Sequence, residues 1–160
     1  MKPQEADFVV SQKGQEALEN LQRDYAKISA ADEIKIISRL RKDLSMQEAA
    51  AVMEVAKARQ KAVESGKFSR AQSMFFTREA LEQSSGEAIS LYRAERFKQA
   101  LPADSLIADF CCGIGGDTTG LLKYFRVDGY DLDDGRLCLA AANAAVYGHR
   151  DQFEAICQDV

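Results

Sequence analysis

Three acidic residues follow three short apolar stretches in the C-terminal part of the chain. Asp109 ends the first stretch, Asp131 ends the second, and Asp159 comes two residues after the third. If these stretches are parallel strands, their carboxyl ends meet at one edge of a sheet, where ligands bind. An ionised carboxylate there accepts hydrogen bonds from an ammonium group, an amine or a pair of hydroxyl groups. The three acids are therefore predicted to surround one polar ligand.

A glycine-rich loop lies just after the first acidic residue. The sequence DFCCGIGGDTTG, residues 109–120, follows an apolar run and precedes a helix-like one. Glycine lets the backbone approach a ligand closely, and a helix start attracts an anion. A dinucleotide fingerprint counted from Gly113 would need a third small residue where Thr118 stands, and the loop lacks the Lys of a P-loop. Both phosphate-binding interpretations are therefore weakened.

S-adenosylmethionine fits this pattern better than a dinucleotide does. Its cationic amine favours the carboxylate of Asp109, and its own carboxylate favours the loop amides. Asp131, 18 residues after Gly113, is placed to accept both ribose hydroxyl groups, and Asp159 to accept a hydrogen bond from the adenine amine. The sequence therefore predicts S-adenosylmethionine as the cofactor.

Three segments, IADFCCGIGGDTTGL, VDGYDLD and AAANAAVYGHRDQFEAICQD, resemble motifs I, II and III of class I S-adenosylmethionine-dependent methyltransferases. The run from Asp109 to Asp159 is especially similar to the trimethylguanosine-synthase-type RNA cap methyltransferases. The preceding MFFTREALEQSSGEAISLYRAERF resembles the helical lead-in of a THUMP-like bacterial methyltransferase family. The resemblance covers about residues 68–160 and implies methyl transfer, with RNA as the acceptor by family analogy.

The resemblance also implies a role for individual residues. Asp109 lies near the methionine amine, Gly113 and Gly115 lie under the methionine, Asp131 binds the ribose and Asp159 the adenine. The full set of predicted cofactor-binding residues is Asp109, Cys111, Gly113, Gly115, Asp131 and Asp159.

Several neighbouring residues have two interpretations. Asp133 either caps the next helix or contacts the ligand, and Asp117 either interacts with the helix dipole or contacts the ligand. A further group either packs in the core or roofs the pocket, and we favour the core: Phe75, Phe76 and Thr77. Asn143 and Tyr147 are interpreted as structural.

Composition limits the remaining possibilities. The 160 residues are 46% hydrophobic, which is enough for one ordinary domain or two small ones. With no bilayer-length apolar run and no basic N-terminal leader, we expect a cytoplasmic protein that does not bind membranes. The four cysteines lack metal-binding spacing and are predicted to be small buried fillers. A single histidine, His149, argues against a metal site and a Ser/His/Asp triad.

Residues 1–100 and residues 101–160 differ in charge and in the periodicity of their apolar residues. Residues 1–100 carry 17 basic and 15 acidic residues, whereas residues 101–160 carry 4 and 10. Helical periodicity gives way after Pro102 to strand-helix alternation. The sequence therefore predicts an α/β protein, with a helical N-terminal domain at residues 1–100 and a partial Rossmann-like β-α-β-α-β sheet at residues 101–160.

The predicted elements follow from caps and periodicity. An apolar stripe of Ile34, Ile37 and Leu40 is expected on the second helix, and a capping box of Ser84 and Glu87 at the fifth. Residues 67–77, with three Phe and one Met, break the helical pattern and are expected to dock onto the core. The predicted helices are 11–27, 31–44, 45–66, 77–82, 84–100, 118–125 and 136–147, and the strands are 106–110, 127–130 and 153–157.

No residues follow that would supply the acceptor-binding motif of a class I methyltransferase. We therefore expect the chain to be the N-terminal part of a longer enzyme that binds the cofactor without turnover. The first strand would then expose one edge. We expect the helical part, self-association with a second copy or disorder to conceal it.

Three functions are considered. The first is an S-adenosylmethionine-dependent methyltransferase acting on RNA, with Arg39, Arg41 and Lys42 as RNA contacts. The second is a non-catalytic helical interaction module with a nucleotide-like pocket. The third is a dehydrogenase.

Overall fold

A computed structural model describes residues 1–25 and 27–159 of the chain. A helical segment comes first, and a small sheet with intervening helices follows. The elements are α1 (Pro3–Val10), α2 (Gln12–Asp24), α3 (Ala30–Leu40), α4 (Met46–Ser65), α5 (Arg78–Gln83), α6 (Glu87–Ala100), β1 (Leu106–Phe110), α7 (Thr118–Leu121), β2 (Arg126–Asp131), α8 (Asp134–Val146), a 3-10 helix (Arg150–Gln152) and β3 (Phe153–Cys157). The fold is α/β, with N-terminal helices and a partial Rossmann-like sheet, as predicted.

The long helix α4 shows how local sequence sets its ends. Ser45 Oγ accepts a hydrogen bond from the Glu48 amide at 3.2 Å, and Glu48 Oε2 accepts one from the Ser45 amide at 2.7 Å. Gly66 ends the helix with a φ of 63°, a conformation that costs glycine little. The capping box and the glycine stop predicted here are both confirmed.

Other details of the helical segment differ from the prediction. Helix α1 was not predicted, and α7 is a single turn rather than the whole of residues 118–125. Ile34 is exposed, and Ile36 is the residue of α3 that is buried. Ser84 does not cap α6, which begins after Gly86, because the Glu87 carboxylate instead binds the amide and hydroxyl of Ser69.

The three strands form a parallel sheet in the order β1-β2-β3. The register places Asp109 beside Gly129 and Asp131 beside Cys157, so the acidic strand ends lie along one edge. Gly129 is required there, because a Cβ would lie 2.5 Å from the Phe153 ring. The sheet therefore presents the first two predicted acids, Asp109 and Asp131, at its carboxyl edge.

The helical segment packs directly against the sheet segment. Helix α1 contacts α8, and α6 contacts α7. The larger core joins buried residues of α1, α2 and α4 to Ile114 in the glycine loop and Leu139 in α8. A smaller core surrounds Val127 under the sheet. The boundary predicted at residue 100 stays a prediction, but the packing crosses it.

The free edge of β1 is not concealed by the helices. Within residues 1–25 and 27–159, β1 pairs with β2 alone, and Leu106, Ala108 and Phe110 are exposed. The expectation that the helical part covers this edge is therefore wrong, because the N-terminal helices pack against α7 and α8 rather than against β1. Self-association through this edge stays a prediction.

Two kinds of feature are absent from the described part of the chain. No helix there combines the length and hydropathy needed to span a bilayer. The same residues contain no cluster of three or more His, Cys, Asp or Glu side chains arranged to hold a metal ion.

Candidate functional site

The glycine loop between β1 and α7 has an alternating backbone. Cys111, Gly113 and Gly115 have φ values of 57°, 58° and 79°, so every second residue is left-handed. Such alternation curves the backbone into a concave nest of N–H groups, which suits an anion. The conformation costs glycine little, whereas at Cys111 it costs about 1 kcal/mol. The loop is therefore strained at one position, directly after Asp109 and Phe110.

Hydrogen bonds from β2 hold the loop in place. The Cys112 amide donates to the Tyr130 carbonyl, and the Gly113 amide donates to Asp131 Oδ2, both at 2.9 Å. Asp131 Oδ1 accepts from the Asp133 amide at 3.0 Å. The carboxylate of Asp131 thus links the loop to the start of α8. Each of its oxygens has a further lone pair for a hydroxyl group.

Asp109 lies at the inner end of the loop. Its Oδ2 accepts a hydrogen bond from Thr118 Oγ1 at 2.5 Å. Burial raises the pKa of Asp109 above its ordinary value, while the hydrogen bonds from Thr118 act in the opposite direction and the Asp117 charge adds to the rise. Thr118, which stands where a dinucleotide fingerprint needs a small residue, is therefore a fixed partner of this acid. A cation beside Asp109 would stabilise its ionised form.

The connection between α5 and α6 roofs the loop. Gly116 makes this contact close, because a Cβ there would lie 3.1 Å from Ser84 Cβ and from the Ser85 backbone. Asp117 Oδ2 accepts from Ser85 Oγ at 2.9 Å and from Arg93 at 2.5 Å. Asp117 Oδ1 is buried and, among the described residues, has no hydrogen-bond partner. The site therefore contains an acceptor oxygen with unused capacity.

These elements enclose a cleft of about 180 Å³. Small-molecule pockets usually measure roughly 300 to 1,000 Å³, so the cleft suits one end of a larger ligand. A Cβ added to Gly113 would meet nothing within 4 Å, which shows open space directly above the loop. The lining residues are Ala80, Gln83, Ser84, Ser85, Asp109, Phe110, Cys111, Cys112, Gly113, Ile114, Gly116, Asp117 and Arg136.

The structure brings together some of the predicted cofactor-binding residues and separates others. Asp109, Cys111 and Gly113 line the cleft. Gly115 is part of the loop but does not line the cleft, and a Cβ there would lie 3.4 Å from Thr118 Cβ. Asp131 bonds to the Gly113 amide and does not line the cleft either. Asp159 is exposed beyond the end of β3 and does not line the cleft. The cofactor contacts of all six residues stay predictions.

Four of the residues with two interpretations have a structural role in the protein, whereas Asp117 lines the cleft and its two interpretations stay open. Phe75 and Phe76 are buried in the core, and Thr77 caps α5 by accepting from the Ala80 amide at 3.1 Å. Asp133 caps α8 by accepting from the Arg136 amide at 3.0 Å. None of these four side chains lines the cleft.

Asn143 connects the core to the loop. Its Oδ1 accepts from the Phe75 amide at 2.7 Å, and its Nδ2 donates to the carbonyls of Phe75 and Ile114 at 3.0 Å. Tyr147 contacts Met74 Sδ through its hydroxyl group at 3.7 Å. The structural interpretation of Asn143 and Tyr147 is therefore confirmed.

The prediction for the cysteines holds only in part. Cys112 is buried, and burial raises its pKa well above the ordinary value. Cys138 is half-buried, and burial raises its pKa to about 11. Cys111 and Cys157 are exposed, so they are not the buried fillers predicted. At Cys111 the left-handed backbone turns the residue out of the core and into the cleft wall.

Sequence reasoning missed Arg136 and the two serines of the roof. Arg136 lines the cleft from the first turn of α8, with Nη2 3.2 Å from Glu79 Oε1 and Nε 3.7 Å from Asp133 Oδ2. Its position three residues after a capping acid was visible in the sequence. Nothing in the sequence showed that α5 would lie against α8 here.

Two parts of the chain match known families. Residues 104–160 match the model of the family described as RNA cap guanine-N2 methyltransferase. Residues 3–62 match a family described only as a domain of unknown function. The first match contains β1, the glycine loop and β2, so the segment that builds the cleft is similar to a methyltransferase domain. The finer resemblances to the trimethylguanosine-synthase-type and THUMP-like groups stay predictions.

Proposed function

We propose that the cleft binds S-adenosylmethionine and that the protein takes part in methyl transfer to RNA. The observation that carries this proposal is the position of a buried acid, Asp109, at the foot of a left-handed glycine loop with open space above Gly113. The methyltransferase family match to the same segment supports it. Residues 101–160 are then the cofactor-binding segment, and residues 1–100 the helical segment that supports it.

The polar groups of the cleft fit the amino-acid end of this cofactor. Asp109 lines the cleft and is the acceptor proposed for the ammonium group, while the neighbouring Asp117 is held by Ser85 and Arg93. The amides of Cys112, Gly113 and Gly115 already donate within the protein, so the cofactor carboxylate is proposed to bind the loop amides of Ile114 and Gly116. When bound, the cofactor supplies an activated methyl group on its sulfonium. The chain's own residues bind and orient the cofactor, and they exclude water under the roof of Ser84 and Ser85.

Ribose recognition is proposed for Asp131. Its two carboxylate oxygens already fix Gly113 and Asp133, so the position of its remaining lone pairs is set before any ligand arrives. Such preorganisation reduces the entropy lost on binding. Adenine recognition by Asp159 is proposed from its place beyond β3.

Isothermal titration with S-adenosylhomocysteine tests the proposal. The wild-type chain is expected to bind, and Asp109→Asn to bind at least about tenfold more weakly because a charge-assisted hydrogen bond to the ammonium is lost. Asp151→Asn makes the same change at an exposed position in the 3-10 helix and should leave affinity unchanged. The absence of binding by the folded wild-type chain would rule out the cofactor assignment and favour the non-catalytic module.

A further inference from the structure

The outward face of α6 carries a continuous stripe of aromatic, aliphatic and basic side chains. Ile89, Tyr92, Arg93 and Arg96 recur at helical spacing, on the side opposite the buried Ser90 and Ala94. Ile89 is 53% exposed and Tyr92 62% exposed. We call these four residues the α6 stripe. Large apolar and aromatic side chains side by side at a surface indicate a contact site.

The acidic residues of α6 are directed away from this stripe. The Glu87 carboxylate binds Ser69, and Glu95 accepts a hydrogen bond from the Tyr124 hydroxyl group. Arg96 lies beside Tyr92, with Nη1 3.4 Å from the phenol oxygen, and forms no ion pair with any carboxylate in the described residues. Arg93 pairs with Asp117, so Arg96 is the basic side chain of the stripe that has no carboxylate partner among the described residues, in a chain with a net charge of −4.

The stripe begins at the wall of the cleft. Arg93 donates to Ser85 and to Asp117, and both of these residues line the cleft. Tyr92 is adjacent to Arg93, and Arg96 lies about one helical turn further from the start of α6. A polymer lying on the stripe would therefore have one end beside the proposed cofactor site.

We propose that the α6 stripe binds single-stranded RNA and leads it to the cleft. An exposed tyrosine offers its ring to an unpaired base, and an arginine free of carboxylates offers its guanidinium to a phosphate. A duplex keeps its bases stacked on each other, so Tyr92 favours a single strand. The inference rests on the proposed function, and it assigns RNA contacts to α6 rather than to the end of α3.

Fluorescence anisotropy with a labelled, single-stranded oligoribonucleotide of mixed sequence tests this inference. Tyr92→Ala is expected to weaken binding about fivefold or more, because stacking on one base is lost. Tyr92→Phe keeps the ring and should bind as the wild type does. Arg96→Glu should weaken binding about tenfold or more and make the affinity less dependent on salt, because a phosphate contact becomes a repulsion.

Arg41→Glu makes the same charge reversal at the end of α3 and should change the affinity less than about twofold. An equal loss from Arg41→Glu would place the RNA on α3 and overturn the inference. It would also be overturned if the wild-type chain fails to bind the oligonucleotide, or binds a duplex of the same sequence more tightly.

Titration of the Tyr92 and Arg96 variants with S-adenosylhomocysteine separates the inference from the proposed function. Unchanged cofactor affinity with weakened RNA binding supports both. RNA binding that depends on the stripe, without any cofactor binding, would retain the stripe and remove the cofactor assignment. Cofactor binding, together with RNA affinity that the stripe variants do not change, would retain the cofactor assignment and overturn the role of the stripe.

Discussion

Asn143→Ala should be among the most damaging single substitutions in this protein. The side chain is fully buried and makes three hydrogen bonds, at 2.7, 3.0 and 3.0 Å, to the backbone of Phe75 and Ile114. Alanine leaves one amide and two carbonyl groups without these partners. Because water cannot reach a fully buried position, the groups stay unsatisfied.

The magnitude follows from these bonds. Each is worth about 1 to 1.5 kcal/mol, so the free energy of unfolding should fall by roughly 3 to 4 kcal/mol. With an m-value of roughly 2 kcal/mol/M, the urea midpoint should fall by about 1.5 to 2 M. The cofactor loop should also loosen, because the Ile114 carbonyl loses its anchor.

Urea unfolding followed by circular dichroism measures this change. Asn20→Ala is the matched control, because Asn20 lies on the surface of α2 and its side chain accepts a hydrogen bond from Arg23, so its loss should cost less than about 0.5 kcal/mol. A fall of less than about 1 kcal/mol for Asn143→Ala would refute the view that this residue connects the core to the loop.

Four further outcomes are expected. Burial raises the pKa of Asp109, so protonated Asp109 stabilises the folded protein at low pH, and this stability is lost as the pH rises through the raised pKa. Asp109→Asn stays uncharged and should therefore raise the melting temperature at pH 7 while weakening S-adenosylhomocysteine binding. Wild-type affinity should fall as acidification protonates Asp109, which titration between pH 7 and pH 4 would measure. Gly120→Ala should lower the free energy of unfolding by about 2 kcal/mol in urea, because the Cβ would lie 2.2 Å from Ser90 Oγ. Iodoacetamide should label the exposed Cys111 faster than Cys112, and S-adenosylhomocysteine should slow the labelling of Cys111 without affecting Cys157, as mass spectrometry would show.

The elements that sequence reasoning predicted well are those with local causes. The α4 capping box, the glycine stop at Gly66 and the apolar runs of β1 and β3 depend on residues adjacent in the chain, and their bounds agree closely with prediction. The glycine loop was located for the same reason, because its turn chemistry lies within one short segment. Local patterns were therefore enough to find the cleft.

The wrong or missing predictions concern residues whose contacts are with partners distant in the chain. Glu87 had the right spacing for a capping box, but it binds Ser69, 18 positions away in the chain. The buried Arg59 donates to the carbonyls of Ser73 and Met74, a role that no spacing rule indicates. The roof over the cleft similarly depends on how α5 packs. Such contacts are set by tertiary packing, which overrides local propensity.

The core that the N-terminal helices share with the sheet segment matters when parts of this protein are expressed separately. Ile114 of the glycine loop and Leu139 of α8 are buried against the N-terminal helices. A piece beginning near residue 101 would leave these side chains facing water, so it should be prone to aggregate during expression. Heating should melt helices and sheet in one transition, and biochemical work on the cleft needs the preceding hundred residues in place.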